Sequence, residues 1–239
     1  MTTSSRWIRW PGFVAWALLL LLGVAVLIVR SGNWELGLGV YAIAGLASLS
    51  LLALFAVLFL IPKFNEQRGA TLRSALPAVP GAVLLVMAMQ GAKLPQIHDI
   101  TTDTNDPPVF EAAQALRGEN SNPIVFDEDV LTQQLEAYPD LAPLRSPRSF
   151  ASSYNLALRT AQGMGWDITR EDSNAGFIEA VATTALMQFK DDVVIRVRTN
   201  ADGSIVDLRS VSRVGRSDLG ANAARIRKFQ KAFIKGAEG

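Results

Sequence analysis

The chain has no cysteine and one histidine among its 239 residues. Disulfides, thiolate metal sites and multi-histidine zinc sites are therefore excluded, although the lack of thiols says nothing about redox compartment. No Gly-x-Ser-x-Gly nucleophile turn and no glycine-rich phosphate loop occurs, nor any internal repeat or low-complexity tract. No residue set points to a cofactor or a metal. Charge is scarce at the start: before residue 90 there are only eight charged residues, and they stand at the edges of long apolar runs.

Those runs cover residues of about 12–29, 37–61 and 72–89. A helix crossing the hydrocarbon core needs about 20 predominantly apolar residues. The first two runs meet that length and the third is short, with Pro77 and Pro80 near its start, where first-turn amides lack helical partners anyway. Arg6 and Arg9 ahead of the first run resemble the basic end of a signal peptide, but Val29-Arg30-Ser31-Gly32 follows instead of a small-residue cleavage site. We read it as a retained anchor, with Trp7, Trp10 and Trp34 at its ends. Lys63, Arg68 and Arg73 surround the second loop, whereas Arg30 stands beside Glu35 in the first. The positive-inside rule then places the N-terminus in the cytoplasm. With three spans the remainder lies outside, in the periplasm if the membrane is a Gram-negative inner membrane; if the third run only lies on the surface, the remainder is cytoplasmic instead.

The organisation expected is a transmembrane module over residues 1–91, a tether with short helices over 92–145, and an α+β domain over 146–239. The polar, proline-containing stretch Ala92–Phe110 has no apolar period and reads as extended. Short helices are expected at Val109–Leu116 and Asp127–Ala137, the second favoured by Asp127 and Glu128 at its start. Ser146-Pro147 suits a helix start, and Phe150, Tyr154, Ala157, Leu158, Ala161 and Met164 recur at helical spacing until Gly163 and Gly165 end the run. Four strands are expected at Trp166–Arg170, Gly176–Ala185, Asp192–Thr199 and Ser204–Val214, with a turn at Asn200–Gly203. A last helix over Leu219–Lys235 would turn Leu219, Ala223, Ile226, Phe229 and Phe233 inward.

The fold class expected is thus membrane-anchored α+β: three N-terminal transmembrane helices, then a four-stranded antiparallel sheet with helices packed on one face. One sheet face is apolar (Val193, Ile195, Val197, Val206, Leu208) and the other charged, with Arg196 opposite Asp207 if the turn is tight. Charge is also uneven along the chain. Residues 91–195 hold seven Lys/Arg against sixteen Asp/Glu, and residues 196–239 hold ten against four. The favoured reading is that the two parts fold together and neutralise one another; the alternative is a basic face toward an anion.

The densest stretch is SVSRVGRSDLGANAARI, Ser210–Ile226. Arg213, Arg216, Ser217, Asp218, Asn222 and Arg225 gather at a strand-to-helix corner. Two readings stand side by side: helix amides and guanidinium groups that hold a phosphate or carboxylate, or a helix cap with arginines paired to the acidic half. His98 and Asp99, with Asp103, Arg196 and Arg209, are secondary candidates. A histidine beside carboxylates fits acid–base chemistry, and equally a hydrogen-bonded structural role.

The motifs IHDITTDTNDPP, YPDLAPL, GWDI, IEAVATT, DDVVIRVR and RSVSRVGRSDLGANAARIR, in this order from about Pro95 to Phe233, resemble the family called domain of unknown function 1499. The resemblance implies a membrane or exported setting and brings no reaction. The leading expectation is a non-catalytic, membrane-anchored extracytoplasmic domain that binds a membrane or periplasmic protein partner, an anionic small molecule or a lipid headgroup, as an accessory to a membrane complex. Nucleic acid is not expected. The alternative is a hydrolase-like enzyme using His98 and Asp99 with the arginine-rich corner.

Overall fold

The computed structural model describes residues 3–127 and 129–238; the expectation for Glu128 lies outside them. The chain divides into two compact units, Met1–Gly91 with Leu186–Gln188, and Ala92–Ala185 with Phe189–Gly239.

In the first unit, α1 (Thr3–Arg30) and α2 (Trp34–Leu60) are followed by α3 (Arg68–Ala75) and α4 (Val79–Gly91). Three segments, Arg9–Arg30, Trp34–Leu60 and Pro62–Gly91, are long and apolar enough to cross a membrane. The third is not one continuous helix: 3-10 turns at Pro62–Gln67 and Leu76–Ala78 precede α3 and α4 respectively. At 1.5 Å per residue α4 alone rises about 20 Å, short of the roughly 30 Å hydrocarbon core. Apolar side chains face outward (Leu20, Leu27, Ile43 and Leu60 are exposed), while Ala15, Ala25, Ala44 and Ala82 are buried. Small residues let these helices approach: a Cβ on Gly81 would stand 2.5 Å from Ser48 Oγ, and one on Gly37 2.5 Å from Val29 Cγ2. This is how apolar helices associate where lipid offers no hydrophobic drive.

The second unit contains β1 (Asp99–Thr101), α5 (Ala113–Leu116), α6 (Asp129–Ala137), β2 (Leu144–Ser146), α7 (Phe150–Gly163), β3 (Asp167–Asp172), β4 (Phe177–Thr183), β5 (Lys190–Asn200), β6 (Gly203–Ser212) and α8 (Ala221–Glu238). The antiparallel sheet has six strands rather than the four expected, in the order β1-β6-β5-β4-β3, with β2 also paired to β6. The two extra strands span three residues each, too few for an alternating pattern to register. They lie along the same edge of β6, Asp99 opposite Val211 and Leu144 opposite Val206, and cover backbone groups that would otherwise stand unpaired.

The meander itself follows the alternation. Arg196 pairs with Asp207 across the Asn200–Gly203 turn. Val193, Ile195, Val197, Val206 and Leu208 form the buried face with Tyr154, Ala157 and Ala161 of α7 and Ala223, Ile226, Phe229 and Phe233 of α8. Trp166 stacks on Phe229 at 5.6 Å; fully burying a large aromatic or aliphatic side chain contributes about 1.5–3 kcal/mol. Several boundaries differ from expectation by a few residues, two of them at the starts of the helices that cover the sheet. Ser146 ends β2, and it is Ser149 whose hydroxyl accepts from the Ser152 amide to cap α7. Leu219, expected on the inner stripe of α8, is 47% exposed and precedes the helix, with φ at +52°.

The largest correction concerns the stretch expected to be a tether. Ile97 and Ile100 are core residues, and Phe110 and Ala113 pack on Val194 and Val211 on the other face of the sheet. That face is therefore covered by residues of the 102–127 segment, α5 included, instead of lying open to solvent.

Candidate functional site

Strand alternation sends every second side chain of β5 and β6 to the face under this segment, and those side chains anchor it one by one. Arg196 donates to Asp103 at 3.1 Å, to Asp106 at 2.8 Å, to the Asp106 carbonyl and to Asp207. Arg198 donates to Asp103 at 2.7 Å. Arg209 grips both oxygens of Asp99, at 2.9 and 2.6 Å, and also donates to the carbonyls of Pro108 and Ile124. The rings of Phe110 and Phe126 each lie 5.3 Å from its guanidinium carbon. Glu179, 1% exposed, accepts from the amides of Glu111, Ala112 and Ala113. Asp192 binds Arg117 and Arg213, each at 2.7 Å.

Arg196, Arg209, Asp99 and Asp103, candidates for a ligand site, are thus committed to one another. Burial by itself would raise the carboxyl of Asp103, but the Asp106 amide, Arg198 and the Asn105 amide together hold it below the usual range. Asp207 is pushed upward, mainly by burial, against the pull of Arg198 and Arg196. Glu179, Asp192, Asp191 and Arg117 were not among the candidate site residues. Alternation puts Glu179 and Asp192 in sequence reach, but Arg117 lies in a segment with no period at all.

In the strand-to-helix corner of Ser210–Ile226, Arg213 belongs to the face under this segment, through Asp192, whereas Ser210, Ser212, Asn222 and Arg225 meet on the side of α8. Asn222 is fully buried there. Its amide nitrogen donates to the His98 carbonyl at 3.0 Å and to Ser212 Oγ at 2.9 Å, and its oxygen accepts from Ser210 Oγ at 2.7 Å and from Arg225. Arg225 also donates to Ser210 Oγ and pairs with Asp191. Asp218 accepts from the amides of Gly220 and Asn222, at 2.8 and 2.7 Å. The start of α8 is therefore already occupied by a carboxylate of the chain itself. Ser217 Oγ accepts from the Leu219 amide. Arg213 turns to Asp192, and Arg216 is exposed with no side-chain partner among the described residues.

His98 comes close to this corner through its backbone, its carbonyl accepting from the Ser212 amide at 2.9 Å. Asp99, its neighbour, is held by Arg209 on the opposite face. The six candidates at the corner are drawn to one region, but Arg213 and Arg225 enter different ion pairs and Arg216 none.

Burial pushes the Asp218 carboxyl above its ordinary range, the Asn222 and Gly220 amides pull it back, and Asp191 adds to the rise. A carboxyl with a raised folded pKa binds its proton more tightly folded than unfolded. Its contribution to stability is then greatest below the ordinary carboxylate value of about 3.9 and declines as pH rises from there through the raised value. Asp218→Asn, which cannot titrate, is expected to remove this component. From about pH 4 upward the stability of wild type should fall relative to that of the variant; parallel curves would refute the assignment.

Six basic residues of the C-terminal part (Arg196, Arg198, Arg209, Arg213, Arg225 and Arg227) form ion pairs with acidic residues of the 91–195 part. The uneven charge along the chain is therefore largely neutralised by folding. The cations left over are Arg216, Lys228, Lys231 and Lys235, all exposed. Lys228 lines an open cleft of about 390 Å³ between α7 and α8 together with Arg159, Thr160, Gly163, Met164 and Ala232. Neither Arg159 nor Lys228 has a carboxylate partner among the described residues. No cluster of three or more His, Asp or Glu suited to a metal occurs among the described residues.

Compared with known proteins, residues 99–233 match the model of a family described as "Protein of unknown function (DUF1499)". No curated protein matches the chain.

Proposed function

The chain belongs to the DUF1499 family, and from its geometry we propose that it is a membrane-anchored, non-catalytic binding protein whose C-terminal unit receives an acidic segment of a membrane or periplasmic protein. The observation that carries this reading is the cleft between α7 and α8, where Arg159 and Lys228 stand without carboxylate partners among the described residues. Elsewhere in the unit the arginines under the 102–127 segment and at the corner, Arg216 excepted, are spent on internal pairs, and Lys228, Lys231 and Lys235 place exposed charge on the outer side of α8. Met164 and Ala232 give the cleft an apolar floor beside the charges, and an acidic peptide offers both kinds of contact.

The setting is a cell membrane crossed three times, with the N-terminus in the cytoplasm and the binding unit on the opposite side, in the periplasm of a Gram-negative cell. The excess of basic residues in the second loop supports that orientation. The hydrolase reading finds less support: Asp99, its proposed partner for His98, has both oxygens engaged by Arg209.

A fluorescent oligoglutamate peptide added to the detergent-solubilised full chain tests the reading by anisotropy. Binding is expected to weaken with salt, and the variant Arg159→Gln/Lys228→Gln should lose about tenfold or more, since a charge-assisted hydrogen bond contributes about 1.5–3 kcal/mol. The thermal transition should not move, because both side chains are exposed. Equal affinity in variant and wild type, or displacement by inorganic phosphate alone at stoichiometric concentration, would count against a peptide site.

A further inference from the structure

We propose that the first unit carries a specific site for an anionic phospholipid where α1 and α3 meet. Here Arg9, Arg68 and Arg73 have no carboxylate partner among the described residues. Before residue 90 the only acidic residues are Glu35 and Glu66, and among the described residues neither pairs with Arg9, Arg68 or Arg73. Two of these arginines share a cavity: Arg9 and Arg73 line one of about 240 Å³, with Gly12, Phe13, Trp16 and Ser74.

Their convergence is built into the packing. A Cβ on Gly12 would lie 3.1 Å from both Cβ and Oγ of Ser74, so α1 and α3 touch there. Arg9 stands three residues before Gly12, about one helical turn away, and Arg73 adjoins Ser74. Both arginines therefore flank the same contact. Arg73 Nε donates to the Gly69 carbonyl at 3.1 Å, which fixes the stem and leaves the two terminal nitrogens to meet a ligand. The Ser74 hydroxyl adds a neutral hydrogen-bonding group in the same cavity. A planar guanidinium pair with a hydroxyl is suited to a phosphate.

What makes the ligand a lipid is the second cavity that shares Arg73. It is a groove of about 650 Å³ formed by apolar side chains of α2, α3, α4 and the turn before α4, among them Phe55, Phe59, Leu72, Leu76 and Val79. Its volume falls within the range of small-ligand pockets, about 300–1,000 Å³. Arg68 lies over the Phe59 ring at 5.0 Å and donates to the Phe59 carbonyl at 3.2 Å, adding positive charge beside a residue that lines the groove. Arg73 thus joins a polar, cationic cavity to an apolar one, the arrangement a phosphate head joined to an acyl chain would fill. A soluble phosphate would use only the first cavity.

The site draws on no residue of the cleft between α7 and α8, so the two readings can fail separately. The full chain in a neutral detergent, given equimolar phosphatidylglycerol and phosphatidylcholine with identical acyl chains, is examined by native mass spectrometry. Wild type is expected to retain the anionic lipid preferentially, and Arg9→Gln/Arg73→Gln to lose about tenfold or more of that preference, at roughly 1 kcal/mol per cation near an anionic headgroup. Arg9→Lys/Arg73→Lys should keep most of it, which separates lost charge from lost folding. An undiminished preference in the Gln variant would overturn the proposal. So would its loss in Arg159→Gln/Lys228→Gln, which would place the headgroup on the other unit. Replacement of the lipid by millimolar inorganic phosphate would assign the cavity to a soluble anion and overturn the lipid.

Discussion

Arg209→Ala is expected to destabilise the C-terminal unit by about 3–5 kcal/mol, the cost of leaving one partner of a buried ion pair alone. Arg209 and Asp99 are 2% and 4% exposed, and among the described residues no other cation pairs with Asp99. Removing the guanidinium strands that carboxylate and takes the donors away from the carbonyls of Pro108 and Ile124. It also removes the cation that Phe110 and Phe126 contact. These partners span residues 99–126, so the variant should loosen the covering segment before the core beneath α7 and α8. Near-UV circular dichroism of the full chain in detergent, with limited proteolysis to locate the loosened segment, measures both effects. The double variant Asp99→Leu/Arg209→Met removes both charges and should recover part of the loss, but not all of it, because the two carbonyls remain without donors. A loss below about 1 kcal/mol for Arg209→Ala, the range of exposed pairs, would show that the segment is not held this way.

The meander and the last two helices could be read from the chain because their residues obey a period. Val193, Ile195 and Val197 alternate, Phe229 and Phe233 recur at helical spacing, and the Asn200–Gly203 turn fixes the register that sets Arg196 against Asp207. Charge counting also indicated that the acidic and basic parts neutralise one another, and the ion pairs from Arg196 to Arg227 do so. What could not be read is the segment between Ile97 and Phe126. Its attachment depends on Arg209, Glu179 and Asp192, which lie 68 to 110 positions away along the chain, and on backbone carbonyls and amides that have no signature in the letters. β1 and β2 were missed for a related reason. Three residues cannot display a period of two convincingly, and pairing with β6 defines them as strands. At the corner, the residue types suited to an anion are the same types that cap a helix. Only the partners distinguish the two: Arg213 to Asp192, Arg225 to Asp191, and Asp218 to the amides of α8.

Asn222→Asp separates these two meanings at that corner. The substitution keeps the shape of the side chain and replaces its two N–H donors by a carboxylate oxygen. That oxygen would face the His98 carbonyl, 3.0 Å from the present nitrogen, with Asp218 and Asp191 already close by. Arg225 can offset part of the new charge, but it already serves Asp191. Roughly 2–4 kcal/mol of stability should be lost, since a buried polar group left without its partner costs about 1–3 kcal/mol and a charge more. The loss should shrink as pH falls toward the carboxylate range and the new group takes up a proton to become a donor again. Asn222→Ala should be milder, because the hydroxyls of Ser210 and Ser212 can turn toward each other or toward Arg225. If Asn222 instead served chiefly to hold a ligand, both variants would melt with wild type in its absence, and only a bound anion would tell them apart. The expected order, wild type above alanine above aspartate at neutral pH, follows only if the side chain ties α8 to β1 and β6. A thermal series of the three proteins at neutral and acidic pH decides it: the same letters that most resemble an active site would then be the fastening of the last helix to the sheet.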